Sequence, residues 1–145
     1  MISETDWEVF DKNYCEAMGY HYRAEQFLQE GQRPSLIFNV ASIALERYLI
    51  ALCSLYGKMP FNHNYSCLID TVVSVISFPS DLIDEIISLD KIFGICSLDN
   101  YYHGVPVPED STRVLLMCKE VRELFNQPPI ASKMKTAEKI KKELL

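Results

Sequence analysis

Residues 34–57 read PSLIFNVASIALERYLIALCSLYG and are apolar around most of a helical circumference. One row steps through Ile37, Ala41, Ala44, Tyr48, Leu52 and Leu55, a second through Leu36, Val40, Ile43 and Ile50, both at helical spacing. A surface helix carries one such stripe and a broad polar back. Here the polar residues narrow to a lane of Asn39, Ser42 and Glu46 with Arg47 beside it. A helix of this kind has to be covered on more than one side, by sister helices or by a second subunit. Pro34 suits a first helical turn and Gly57 suits the residue just past a helix end. At about two dozen residues with Glu46 and Arg47 in its middle the stretch is not expected to span a membrane, and no apolar run in the chain reads as long enough to do so.

The chain on either side is punctuated in the same way. Thr5 and Glu8 have the spacing of a capping box and start a helix with a stripe of Trp7, Phe10, Tyr14, Ala17, His21, Ala24 and Leu28, closed by Gly31. After Gly57, Asn62 or Asn64 caps a third helix with Tyr65, Leu68, Ile69, Val72, Val73 and Ile76 inward. The β-branched run TVVSVIS has strand propensity, but no strand partner exists elsewhere, so it is read as helix. Phe78-Pro79-Ser80-Asp81 restarts the chain into a fourth helix carrying Leu82, Ile86, Leu89, Phe93 and Cys96. Glu109, Asp110 and Ser111 open a fifth, with Val114, Cys118, Val121 and Phe125 inward. The reading is an all-α, up-and-down bundle of about five helices over residues 1–127. Pro128-Pro129 closes it, and 128–145 is a linker and lysine-rich segment that reads as a weak amphipathic helix, docking or fraying.

With 145 residues, 48% hydrophobic and 23% charged, the chain is sized for one domain with a real core. A formal net charge of -6 leaves no broad basic surface for duplex nucleic acid. The tail is the exception: after Pro129, five lysines against two glutamates give a local +3. The N-terminal MISETDWEVF is acidic, unlike a signal peptide, and the five cysteines are an odd number with no C-x-x-C pair. They read as small buried thiols in a reducing compartment, so a cytoplasmic location is expected.

Three local motifs resemble the HEPN domain family over roughly Thr5 to Asn126. Ala44-Leu45-Glu46-Arg47-Tyr48-Leu49-Ile50-Ala51-Leu52 is similar to that family's helix-two pattern, a Glu followed by a basic residue and a K-A-L-like ending. Gly57-Lys58-Met59-Pro60 with His63-Asn64 resembles its G-x-x-P followed by His-Asp. Cys96-Ser97-Leu98-Asp99-Asn100-Tyr101-Tyr102 resembles its C-x-x-L-D-x-Y-Y run. The chain departs from the pattern after Tyr102, where His103-Gly104-Val105-Pro106 stands in place of a Thr-Arg-Tyr-Pro-Asp loop. The ribonuclease signature of that family, an arginine with four to six residues before a histidine, is absent at His21, His63 and His103. The nearest substitute is Lys58 before His63, and a lysine lacks arginine's planar fork.

The resemblance implies a HEPN-like, non-catalytic nucleotide- or polynucleotide-binding module working with a separate nucleotidyltransferase in a toxin–antitoxin-like pairing, and the surplus apolar face of the 34–57 helix leads to the expectation of a homodimer. The binding site would then be a cleft near Glu46, Arg47, His63, Tyr102 and His103. A dimeric interaction scaffold without ligand and a metal-independent ribonuclease with a degenerate motif are the alternatives. No cofactor and no metal site is expected. Each candidate also has a plain structural reading. Glu46 and Arg47 pair with neighbours or occupy the one wet lane. His21 is a neutral core histidine with a hydrogen bond, and His63 is a capping-loop residue. Tyr101 and Tyr102 plug the end of the bundle beside an exposed His103.

Overall fold

Two glycines in the left-handed region set the first two helix ends. Gly31 (φ 72°) follows α1 (Glu4–Gln29), and Gly57 (φ 65°) follows α2 (Pro34–Leu55). At each, the chain folds back in the same paired hydrogen-bond pattern. Gly31 N donates to Leu28 O and Gln32 N to Phe27 O; Gly57 N donates to Ser54 O and Lys58 N to Cys53 O. These bonds satisfy carbonyls that the helix ends would otherwise orphan. The computed structural model describes residues 4–93 and 106–144, and α1 is already under way at Glu4, so Thr5 lies inside it rather than at its cap.

The remaining helices are α3 (Tyr65–Val73), α4 (Ser80–Phe93), α5 (Pro108–Leu124) and α6 (Pro128–Leu144), and no strand occurs among the described residues. The described helices number six, where about five were expected. The sixth is the lysine-rich segment, whose expected weak amphipathic helix forms outside the five-helix count, and Pro128, expected to close the domain, opens it. Ile130 and Ala137 of α6 are buried, and Lys141 Nζ lies 3.2 Å from Asp11 Oδ2 on α1. TVVSVIS is helical as far as Val73 and then turns.

Helix α2 is the centre of the molecule. It packs most extensively on α1, then on α5, and touches α3 and α6. Fourteen of its 22 residues are buried. By length and hydropathy alone α2 is long and apolar enough to cross a membrane, contrary to the reading from sequence; here 67% of that stretch is covered inside the chain. The covering that its apolar circumference demands is therefore supplied largely by sister helices.

The first expected row of α2 is buried throughout, but the second is not. Leu36 and Val40 are half-buried and Ile43 is 37% exposed, while Phe38, Leu45 and Leu49 are buried in their stead. Ser42, placed in the wet lane by sequence, is also buried, and its Oγ donates to Phe38 O at 2.7 Å. Ser54 does the same to Ile50 O at 2.8 Å, so neither hydroxyl is left unpaired. Neighbouring helices also bond to the α2 backbone. Tyr65 OH donates to Ser42 O, Ser111 Oγ to Pro34 O and Cys118 Sγ to Ala41 O. On α1, Leu28 is 43% exposed and Phe27 takes the inward place; on α3, Val73 is exposed. Cys53 and Cys118 are buried as expected, but Cys15 is exposed and Cys67 half-buried.

Candidate functional site

The α2–α3 connection, residues 56–64, is built by short polar contacts. Asn62 Oδ1 accepts from Asn64 N at 3.1 Å, and Asn64 Oδ1 accepts from Cys67 N at 2.8 Å, so Asn64 is the cap of α3. Two more donors of that first turn, Tyr65 N and Ser66 N, are taken by the Asp90 carboxylate of α4 at 2.9 Å each. Ser66 Oγ adds a third bond to Asp90 at 2.7 Å. Pro60 is buried beneath the loop. The tip is thus fixed at both ends, and it carries Met59 (68% exposed) and Phe61 (99% exposed) into water.

His63 stands beside this tip with its Nδ1 3.8 Å from Glu46 Oε1. Glu46 is half-buried, and its charge reaches inward as well. The Tyr65 phenol is pushed well above its ordinary pKa, first by burial and then by the Glu46 carboxylate. Arg47, the next residue, belongs to another cluster. Its guanidinium Nη1 donates to Asn13 Oδ1 at 3.4 Å, and its Nε lies 3.5 Å from Glu16 Oε2, an ion pair without a formed hydrogen bond. Of the five residues singled out by sequence, Glu46 and His63 are therefore brought together, and Arg47 is engaged on α1. Tyr102 and His103 lie outside the described residues, as does Cys96. Phe61 was missed. The available signal was a large apolar residue in the polar run 58–64, which on sequence alone reads only as a loop.

His21 is 3% exposed and held between two helices. Its Nδ1 lies 2.9 Å from Tyr48 OH, and its Nε2 lies 3.0 Å from Glu25 Oε1. A carboxylate only accepts, so the proton of a neutral ring sits on Nε2 and Nδ1 accepts the Tyr48 hydroxyl. Burial lowers the His21 pKa below its ordinary value; Glu25 opposes that shift and Arg122 adds to it. The histidine is the buried core residue expected from its place on the α1 stripe, hydrogen-bonded at Nδ1, while Nε2 lies within ion-pair distance of Glu25 without a formed hydrogen bond.

With the folded pKa of His21 depressed, the unfolded chain takes up a proton below about pH 6.5 that the folded chain does not, so stability is complete above that pH and falls as pH drops through it. Urea unfolding between pH 8 and 5.5 is expected to show a loss approaching, at most, about 1.4 kcal/mol per pH unit from this group. His21→Gln should flatten that slope; an unaltered slope would assign the dependence to other groups.

The buried thiols are poor nucleophiles. Burial pushes Cys53 up to about 12 and Cys118 up as well, so both remain protonated at neutral pH. Among the described residues no three His, Cys, Asp or Glu side chains gather as a metal site. The fold and this loop define an all-helical arrangement with an exposed aromatic loop tip and, in the same connection, His63 paired with Glu46. No protein-family model matches the chain, nor does any curated protein or solved structure.

Proposed function

We propose that this protein is a non-catalytic binding module for a nucleotide or single-stranded polynucleotide, with the α2–α3 loop as its contact surface. The observation that carries the reading is Phe61. A phenylalanine with 99% of its surface in water, on a loop anchored by Asn64 and Pro60, forgoes about 1.5–3 kcal/mol of burial. An exposed ring beside an imidazole is suited to stack an unpaired base, while His63 contacts a base edge or phosphate and Glu46 orients it. The HEPN-like motifs supply Glu46 and Gly57-Lys58-Met59-Pro60 to this same surface and support the reading, including a nucleotidyltransferase as working partner, although Arg47 is engaged on α1. A second reading, a protein-interaction scaffold, is favoured by Met59, which adds a second exposed apolar side chain without stacking chemistry.

Thermal unfolding against nucleotides at millimolar and short RNAs at micromolar levels separates the two. A ligand at about a hundred times its dissociation constant adds roughly 2.7 kcal/mol, a rise of several degrees in Tm. Phe61→Ala is expected to weaken that ligand by about 1–3 kcal/mol without lowering the Tm of the free protein. His63→Ala should weaken it less. Ligand binding unchanged by Phe61→Ala would remove the loop as the site, and no shift with any ligand would leave the scaffold reading.

A further inference from the structure

We propose that the groove between α1 and α6 is a second, separate binding site, for a small flat aromatic acid carrying a single negative charge. The groove encloses about 610 Å³, within the range of small-molecule pockets. Its aromatic wall is made by Trp7, Phe10, Tyr14 and Phe125. The Phe10 and Tyr14 rings stack at 5.4 Å, and Tyr14 and Phe125 lie 4.8 Å apart. Such faces favour a planar ring over a branched chain. The α6 side contributes Ala131, Met134 and Ala137, which offer no hydrogen bonds.

Charge selects the rest of the ligand. Three lysines (135, 141 and 142) and two carboxylates (Asp11 and Glu138) border the groove, an excess of one positive charge in a chain whose net charge is -6. Lys141 is paired with Asp11, whereas Lys135 and Lys142 are exposed and have no ion pair among the described residues. A cationic ring would meet these two ammonium groups unfavourably, and a single carboxylate or sulfonate would meet them well. A nucleotide fits less well: its ribose hydroxyls would lie against the apolar α6 wall unpaired, and its phosphate exceeds the single compensating charge. The site goes beyond the α2–α3 loop and shares no residue with it.

Trp7 is the only tryptophan, so the tryptophan emission of the intact protein originates in the groove wall. The probe is 1-naphthalenesulfonate, titrated to millimolar levels with Trp7 emission and calorimetry as readouts. Neutral 1-naphthol and AMP are run in parallel. The expected result is saturable binding of the sulfonate, tighter than that of either comparison compound. The double variant Lys135→Glu/Lys142→Glu should weaken it at least about tenfold while leaving Tm within a degree or so, since both side chains are exposed. No saturable binding of the sulfonate, equal binding of the neutral naphthol, tighter binding of AMP, or indifference to the double charge reversal would each overturn the assignment. Failure here leaves Phe61→Ala and its Tm readout at the loop untouched, so the two sites are tested separately.

Discussion

Phe38→Ala is expected to lower the unfolding free energy by about 3–5 kcal/mol, whereas Ile43→Ala, five residues on in the same helix, should cost under about 1 kcal/mol. Both are large apolar residues on α2, yet Phe38 is 1% exposed and Ile43 is 37% exposed. Truncating Phe38 removes the transfer energy of a ring and leaves a cavity where α2 is closely covered. Truncating Ile43 removes methyl groups that already touch water. Urea midpoints of the two variants check the contrast, and in a domain stabilised by about 5–15 kcal/mol both should remain folded enough to measure. Equal costs would mean that the side of α2 bearing Leu36, Val40 and Ile43 is covered after all, as it would be in a tight dimer built on that face.

Asp90→Ala should have the second largest effect, about 2–3 kcal/mol, because one carboxylate serves three donors of α3. That helix has only nine residues, too few to hold together without tertiary support. Its first-turn N–H groups are accounted for by Asp90 (Tyr65 and Ser66) and Asn64 (Cys67). A carboxylate at this end also opposes the positive pole of the helix. Asp90→Asn keeps one acceptor oxygen and loses the charge, so about half the cost is expected. Amide hydrogen exchange at Tyr65 and Ser66 locates the effect: exchange should speed there in Asp90→Ala and hold steady in the middle of α5.

The loop site was only partly legible beforehand. Glu46 and His63 could be picked from local patterns, and their meeting at 3.8 Å follows once Gly57 turns the chain back toward α2. Arg47 illustrates the opposite case. It neighbours Glu46 in sequence, but a step of one along a helix swings the side chain by about 100°, here onto Glu16 and Asn13 of α1. Phe61 could not be judged from its neighbours, because exposure is a property of what other segments leave uncovered.

Helical character, the ends at Gly31 and Gly57, an asparagine cap at Asn62 or Asn64 and a fifth helix opening near Glu109 were all legible in the sequence alone. Each is a local matter, decided by a positive φ, a capping side chain or a fixed proline ring within a few residues. The inward side of α2, the docking of α6 and the partners of His21 and Asp90 were decided only by the tertiary structure. An apolar run with no polar back carries no directional signal, so packing against α1, α3 and α5 chose the row of Phe38, Leu45 and Leu49 over that of Leu36, Val40 and Ile43. Tyr48 lies 27 residues from His21, and Asp90 lies 25 from Tyr65. At such separations, contacts are fixed by the global packing of the helices rather than by anything the nearby residues encode.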